Sequence, residues 1–237
     1  MKIAVLTSQT LHHNYFIREL SRAYTVAGVI VESQAAAAPF ETHHPFEDRR
    51  ESYERRVFFQ GKDVPLADVA PTVEVDSVNA TESVKRLREI GPDVIIVFGT
   101  GRVGPEVIGT CPAGIINLHG GDPEEYRGLD THLWAIYHRD FGGLVTTLHR
   151  LNETIDDGPV ILQAALHLSK GMELHELRRY NTEACVRMSV SALDMFQRWG
   201  RFISRPQRRR GRYYSLMPAE LKEICRVRFR EYTDGLS

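Results

Sequence analysis

The chain has 237 residues, with 30 basic against 31 acidic side chains and a formal charge of -1, which argues against a protein built mainly to hold nucleic acid or an anionic membrane. Its length allows one large domain, or a domain of roughly 150 to 170 residues with an appendage. Cys111, Cys185 and Cys225 show no Cys-x-x-Cys spacing. Neither a zinc site nor a disulfide framework is therefore indicated, and a reducing cytoplasm fits. The apolar run at residues 3–6 is too short for a signal peptide, and no later run approaches the roughly 18 apolar residues of a membrane span.

Residues 3–6 are a short apolar run that reads as a buried first strand. Phe16, Leu20 and Ala23 recur at helical spacing, and residues 26–31 give a second strand. A strand-helix-strand opening is the start of a doubly wound α/β fold. The first turn holds no glycine before Gly28, so a dinucleotide fingerprint is absent and a nicotinamide cofactor is disfavoured.

Residues 33–70 interrupt the pattern with an alanine run at 35–38, His43 and His44, and the charged block 47–51. Tyr53, Val57 and Phe58 suggest one helix inside this stretch, whose length suits a lid or a binding element. Adjacent histidines do not share a face, so His43 and His44 read as solvated loop rather than metal ligands. His12 and His13 carry the same reading, but their place after the first strand keeps them as substrate-contact candidates.

A strand at residues 72–75 and a helix at 80–90 follow, stopped by Gly91-Pro92. Residues 94–98, Val-Ile-Ile-Val-Phe, are the most strand-like run and read as a buried central strand. They empty into 99–105, where glycines would let a ligand approach the backbone or make a tight turn into the helix at 105–108.

The stretch Gly114-Ile115-Ile116-Asn117-Leu118-His119-Gly120-Gly121 is a strand that ends in polar residues. Residues two apart share a face, so Asn117 and His119 project together at the strand end, either as a site or as turn caps. A helix from about 130 to 138, strands at 144–148 and 160–166, and a long helical region at 172–199 come next. The last segment carries many arginines, a hairpin-like piece at 211–214 and a final amphipathic stretch. The arginines read first as solvated surface; pairing of 201–212 with a diphosphate is the alternative.

Asn117-x-His119, Tyr126-Arg127-Gly128, Trp134-Ala135 and Ile155-Asp156-Asp157-Gly158-Pro159, in this order, resemble the core of the folate-dependent formyltransferases. The resemblance covers residues 1 to about 170. It implies a Rossmann-like, doubly wound, mostly parallel sheet at 1–170; the tail, outside the resemblance, reads as a short helical and hairpin extension at 171–237.

It also implies an Asn117-His119-Asp156 catalytic set and 10-formyltetrahydrofolate as formyl donor, with no metal. An amine attacking the formyl carbon leaves an oxyanion that needs donors such as the Asn117 amide and the His119 ring, while a carboxylate beside an imidazole takes or steers the proton. Asp157 is the rival carboxylate, and the family spacing favours Asp156. Folate contacts fall on Phe98, Gly99, Arg102, Val103, Asn152 and Ile155; acceptor contacts fall on Gly120, Tyr126, Arg127 and Trp134.

Where many family members carry Pro or Ala then Ser after the histidine, this chain has Gly120-Gly121, so a more open turn is expected. The missing first-turn glycines disfavour glycinamide ribonucleotide as acceptor, and the 67 residues after 170 are short for the barrel domain of methionyl-tRNA formyltransferases. A small-molecule amine remains, with a nucleotide-linked amino sugar first and a peptide- or siderophore-like amine second. A cytoplasmic protein with no membrane or nucleic-acid partner is expected, and a homodimer is possible.

Overall fold

The computed structural model describes residues 1–34, 36–62 and 64–237, so Ala35 of the alanine run lies outside the described residues. Seven strands form one sheet in the order β3-β2-β1-β4-β5-β7-β8. They are β1 (Ile3–Ser8), β2 (Val26–Glu32), β3 (Thr72–Val75), β4 (Val94–Phe98), β5 (Ile115–His119), β7 (Val145–Arg150) and β8 (Val160–Ala165). The first five in that order pair in parallel; β7 and β8 are antiparallel additions at one edge. Between β5 and β7 in sequence, β6 (Tyr126–Gly128) stands outside the main sheet.

Alternation along β1 divides the molecule into layers. Ile3 and Val5 enter one core with Phe16, Ile17 and Leu20 of α1 (Leu11–Ala23) and Met188, Ala192 and Leu193 of α6 (Leu177–Trp199). Ala4 and Leu6 face the opposite way, against Val84 and Leu87 of α3 (Thr81–Ile90) and Val107 of α4 (Pro105–Ile108). Covered on both faces, the central strands have no need of polar alternation, which explains the unbroken Val94–Phe98 run.

The 33–70 interruption contains α2 (Pro45–Phe59), capped by His44. The His44 ring accepts from Phe46 N–H at 3.2 Å, and Glu47 accepts from His44 N–H at 2.9 Å. His44 Nε2 also lies 3.0 Å from Glu223. This histidine therefore has a structural post rather than a solvated one, because the helix start needs an acceptor for its orphan N–H groups. His43 stays exposed beside Asp48.

A third core joins Tyr126 of β6, with Leu133 and Ile136 of α5 (Thr131–Tyr137), to Met217, Cys225 and Phe229 on the C-terminal segment, which ends in α7 (Ala219–Asp234). The 211–214 piece does not fold back as a hairpin. Its strand β9 (Arg212–Tyr214) pairs in parallel with β6, a long-range partner that local turn residues cannot announce.

Several of the tail arginines are also spent at home. Arg205 forms a two-pronged pair with Glu124 at 2.9 and 3.0 Å, Arg209 pairs with Glu125, and Arg230 bridges Glu173 and Asp234. No helix among the described residues is long and apolar enough to cross a membrane.

Candidate active site

In an open α/β sheet the crevice lies beyond the carboxyl ends of the strands, where the strand order reverses. Here β1 sits between β2 and β4, and a cleft of about 1160 Å³ is lined by Ser8 at the end of β1, Phe98 at the end of β4 and His119 at the end of β5. Asn117, His119 and Asp156 all line it. So do Phe98, Gly99, Arg102, Val103, Asn152, Ile155 and Gly120.

Asp156 is the hub. It is buried, with a backbone φ of 51° in the left-handed region, and its carboxylate accepts N–H groups on both oxygens with two histidine rings close by. Gly128 N–H donates to its Oδ2 at 2.8 Å, and Asn117 Nδ2 donates to its Oδ1 at 3.3 Å. His119 Nδ1 lies 3.4 Å from Oδ2, and His149 Nε2 lies 3.5 Å from Oδ1. Burial by itself pushes a carboxyl up. The charges and hydrogen bonds of His119, His149 and Gly128 together outweigh it, so the Asp156 carboxyl is held well below the usual carboxylate range. Asp157 does not line the cleft.

The ring orientations follow from their partners. His119 Nε2 is 2.7 Å from the Tyr126 carbonyl, which can only accept, so that nitrogen carries a proton. His149 Nδ1 donates to the Arg150 carbonyl at 2.8 Å, which turns its Nε2 towards Asn117 Nδ2 at 3.1 Å. With Nδ2 spent on His149 and Asp156, the amide oxygen of Asn117 has no hydrogen-bond partner among the described residues.

Three of the sequence-designated residues lie outside the cleft wall. Tyr126 offers His119 its carbonyl and sends its hydroxyl to Asp140 at 3.0 Å. The buried Arg127 grips the Ile155 carbonyl through Nε at 2.9 Å and through Nη2, and so fixes the loop that carries Asp156. Trp134 donates its indole N–H to the Ser215 carbonyl at 2.9 Å.

The glycine turns serve packing. Gly99 has φ of 80°, and the space an alanine Cβ would take there is filled by the His13 ring rather than left open to a ligand. Nor is the Gly120-Gly121 turn open. A Cβ at Gly120 would come within 3.1 Å of His132, and the Gly121 carbonyl accepts from the Thr147 hydroxyl at 2.7 Å.

Other cleft residues went unmarked in the sequence. His149 is one, and its signal was the register: β7 runs antiparallel to β5, setting His149 directly opposite Asn117. Glu32, at the end of β2, accepts from Val78 N–H at 3.0 Å and Gly101 N–H at 2.7 Å, and so shapes the loop after β4. Arg50 of α2 and Arg178 of α6 line the cleft as well. His12 and His13, kept as candidates, do reach its wall. Burial, chiefly, holds His12 neutral and pushes His13 down to about 3; His132, also buried, is pushed down to about 4.

A family model described as formyl transferase matches residues 1–193. A methionyl-tRNA formyltransferase from Acetivibrio thermocellus is 28% identical over 130 residues, covering 54% of this chain and 41% of that protein. The chain thus spans less than half the length of that relative. Among solved structures, glycinamide ribonucleotide transformylase 1 from Symbiobacterium toebii superposes with a TM-score of 0.61 at 22% identity, over 89% of this chain and 93% of that one. The formyltransferase PseJ from Anoxybacillus kamchatkensis, solved with UDP-4,6-dideoxy-4-formamido-L-AltNAc and tetrahydrofolate, gives 0.55 at 17% identity over 91% and 86%. At such identities the structural likeness speaks for the fold, while the family model spans most of the sequence. The chain belongs to the formyl transferase family.

Proposed function

We propose that this protein transfers a formyl group from 10-formyltetrahydrofolate to the primary amine of a small molecule, with a nucleotide-linked amino sugar as the first choice of acceptor. The observation that carries this reading is the convergence of Asn117 and His119 on the buried Asp156 carboxylate at the wall of a cleft large enough for two ligands. The donor's pterin suits the part of the cleft where apolar Phe98, Val103 and Leu151 adjoin the backbone of the loop after β4. Bound there, it supplies the activated formyl carbon.

The chain's own residues then divide the work. The attacking amine sheds a proton as it bonds to the formyl carbon; Asp156, ionised by its surroundings, accepts that proton directly or through water and returns it to the folate nitrogen as the old carbon–nitrogen bond breaks. The unpartnered Asn117 oxygen can accept an N–H from the incoming amine and point its lone pair at the carbon. As negative charge builds on the formyl oxygen, the His119 N–H, held at rest by the neutral Tyr126 carbonyl, and the Asn117 N–H directed at His149 gain a more negative acceptor, and such bonds tighten in the reacting complex.

The curated relatives favour a second reading, with methionyl-tRNA as acceptor. A peptide- or siderophore-like amine is a third. Incubating the full chain with 10-formyltetrahydrofolate and a panel of amino-sugar nucleotides, aminoacyl-tRNA and small peptide amines separates them. His119→Ala should abolish transfer with the circular dichroism spectrum unchanged; no formylated product from any amine sinks the proposal, and formate release without an amine marks a hydrolase instead.

A further inference from the structure

We propose that the amine acceptor carries an oxyanion, a carboxylate or a phosphate, that seats between the guanidinium groups of Arg50 and Arg178. This rests on the formyl-transfer reading and narrows the acceptor it calls for. Arg50 comes from α2 and Arg178 from α6, and both line the part of the cleft that those helices wall.

Their counter-charges stand behind them. Glu54, fully buried, takes Arg178 Nε and Nη2 at 2.6 Å each, and Glu47 takes Arg50 Nη2 at 3.1 Å while pairing with Lys222 at 3.2 Å. Neither Glu54 nor Glu47 lines the cleft. The positive ends of two ion pairs therefore face the cavity and the negative ends face the protein.

Arg50 is under-used. Of the five donors of a guanidinium fork, it commits one to a hydrogen bond among the described residues, and its buried Nε has no partner among them. Its guanidinium carbon lies 5.5 Å from the centre of the Phe46 ring, which limits its orientations. A fork left with free donors at a cavity wall matches an oxyanion better than it matches a neutral hydroxyl.

The neighbours fit the same occupant. His12 Nδ1 lies 2.9 Å from the Thr10 hydroxyl, and its Nε2 has no partner among the described residues. Arg178 and Arg50 add their repulsion to burial in keeping that ring uncharged, a sign that the field here is positive. Asp130 also lines the cleft, but its Oδ2 accepts Met217 N–H at 2.8 Å, and burial pushes its carboxyl up. A diphosphate is thus better held here than by residues 201–212, where Arg205 and Arg209 are occupied by Glu124 and Glu125 and do not line the cleft.

Calorimetric titration of the full chain at low salt with inorganic pyrophosphate and, separately, succinate tests the site and distinguishes phosphate from carboxylate. Arg50→Met should weaken the anion that binds by about tenfold or more, with Arg50→Lys in between, because the fork is lost in both and the charge in only one. Affinity for 5-formyltetrahydrofolate, titrated alongside, should change by less than about twofold, as expected for separate sites. Equal anion affinity in wild type and Arg50→Met, or binding of neither anion, overturns the proposal. Arg50-dependent anion binding without any folate binding would leave this site standing and remove the formyl-transfer reading instead.

Discussion

Replacing Asp156 with Asn keeps the size and the left-handed backbone, which Asn tolerates, and removes only the charge. The carboxylate serves donors on both oxygens: Gly128 N–H on one, Asn117 Nδ2 on the other. An amide has one oxygen, so whichever way it turns, one buried donor meets an NH2 group. Losing that acceptor costs about 1–3 kcal/mol, and turning the remaining charge-assisted bond into a neutral one costs about 1 kcal/mol more. Urea unfolding at pH 7 should therefore show a loss of about 2–4 kcal/mol.

The pH dependence has a definite sign. Asp156 is depressed in the folded state, so its stabilisation is fully present above the usual carboxylate range and fades as pH falls below about 4. The gap between wild type and Asp156→Asn should narrow over that window. In single-turnover assays with 10-formyltetrahydrofolate, the variant should fall by about 10²–10⁴-fold, the usual worth of a positioned base, while Asp157→Asn stays near wild type. A variant within tenfold of wild type, or a stability gap that does not shrink in acid, would refute the reasoning.

Gly99→Ala would set a side chain against the His13 ring at a φ of 80°, at a cost of about 1–3 kcal/mol. It should lower the melting temperature and raise the KM for the folate donor, read by thermal unfolding and steady-state kinetics. Gln207→Ala removes the amide that donates to the carbonyls of Asp156 and Gly158 at 2.9 Å each, so kcat should drop with little change in the KM for folate. His13 and His132, pushed down to about 3 and about 4, stay neutral when folded but take up protons near 6.5 when unfolded. Stability should accordingly fall as pH drops from 6.5 towards 4, and His132→Gln should flatten part of that slope in urea titrations across the range.

Strand and helix runs could be read from the chain because their causes are local. Val94–Phe98 is buried on both faces and shows it residue by residue, and Gly91-Pro92 stops a helix wherever the pair occurs. The site was legible as far as strand alternation could carry it, which placed Asn117 and His119 together. What escaped were partnerships across sequence: His149 opposite Asn117, Glu32 reaching Gly101, Arg178 held by Glu54, and β9 finding β6. Glycines were misleading for a related reason. A missing side chain records that something comes close, and at Gly99 the close neighbour is the protein's own His13.

The strap formed by β9 and Gln207 has a bearing on how such a protein can change its specificity. Leu129 N–H donates to the Tyr214 carbonyl at 2.9 Å, next to the Gly128 that serves Asp156, while Gln207 holds the same aspartate's loop from the other side. A tail grafted from another member of the family would arrive without those two grips and would lose turnover before any new acceptor preference could be seen. Change in this lineage is expected instead to accumulate along α2 and α6, where a residue facing the cleft can be exchanged without loosening the carboxylate.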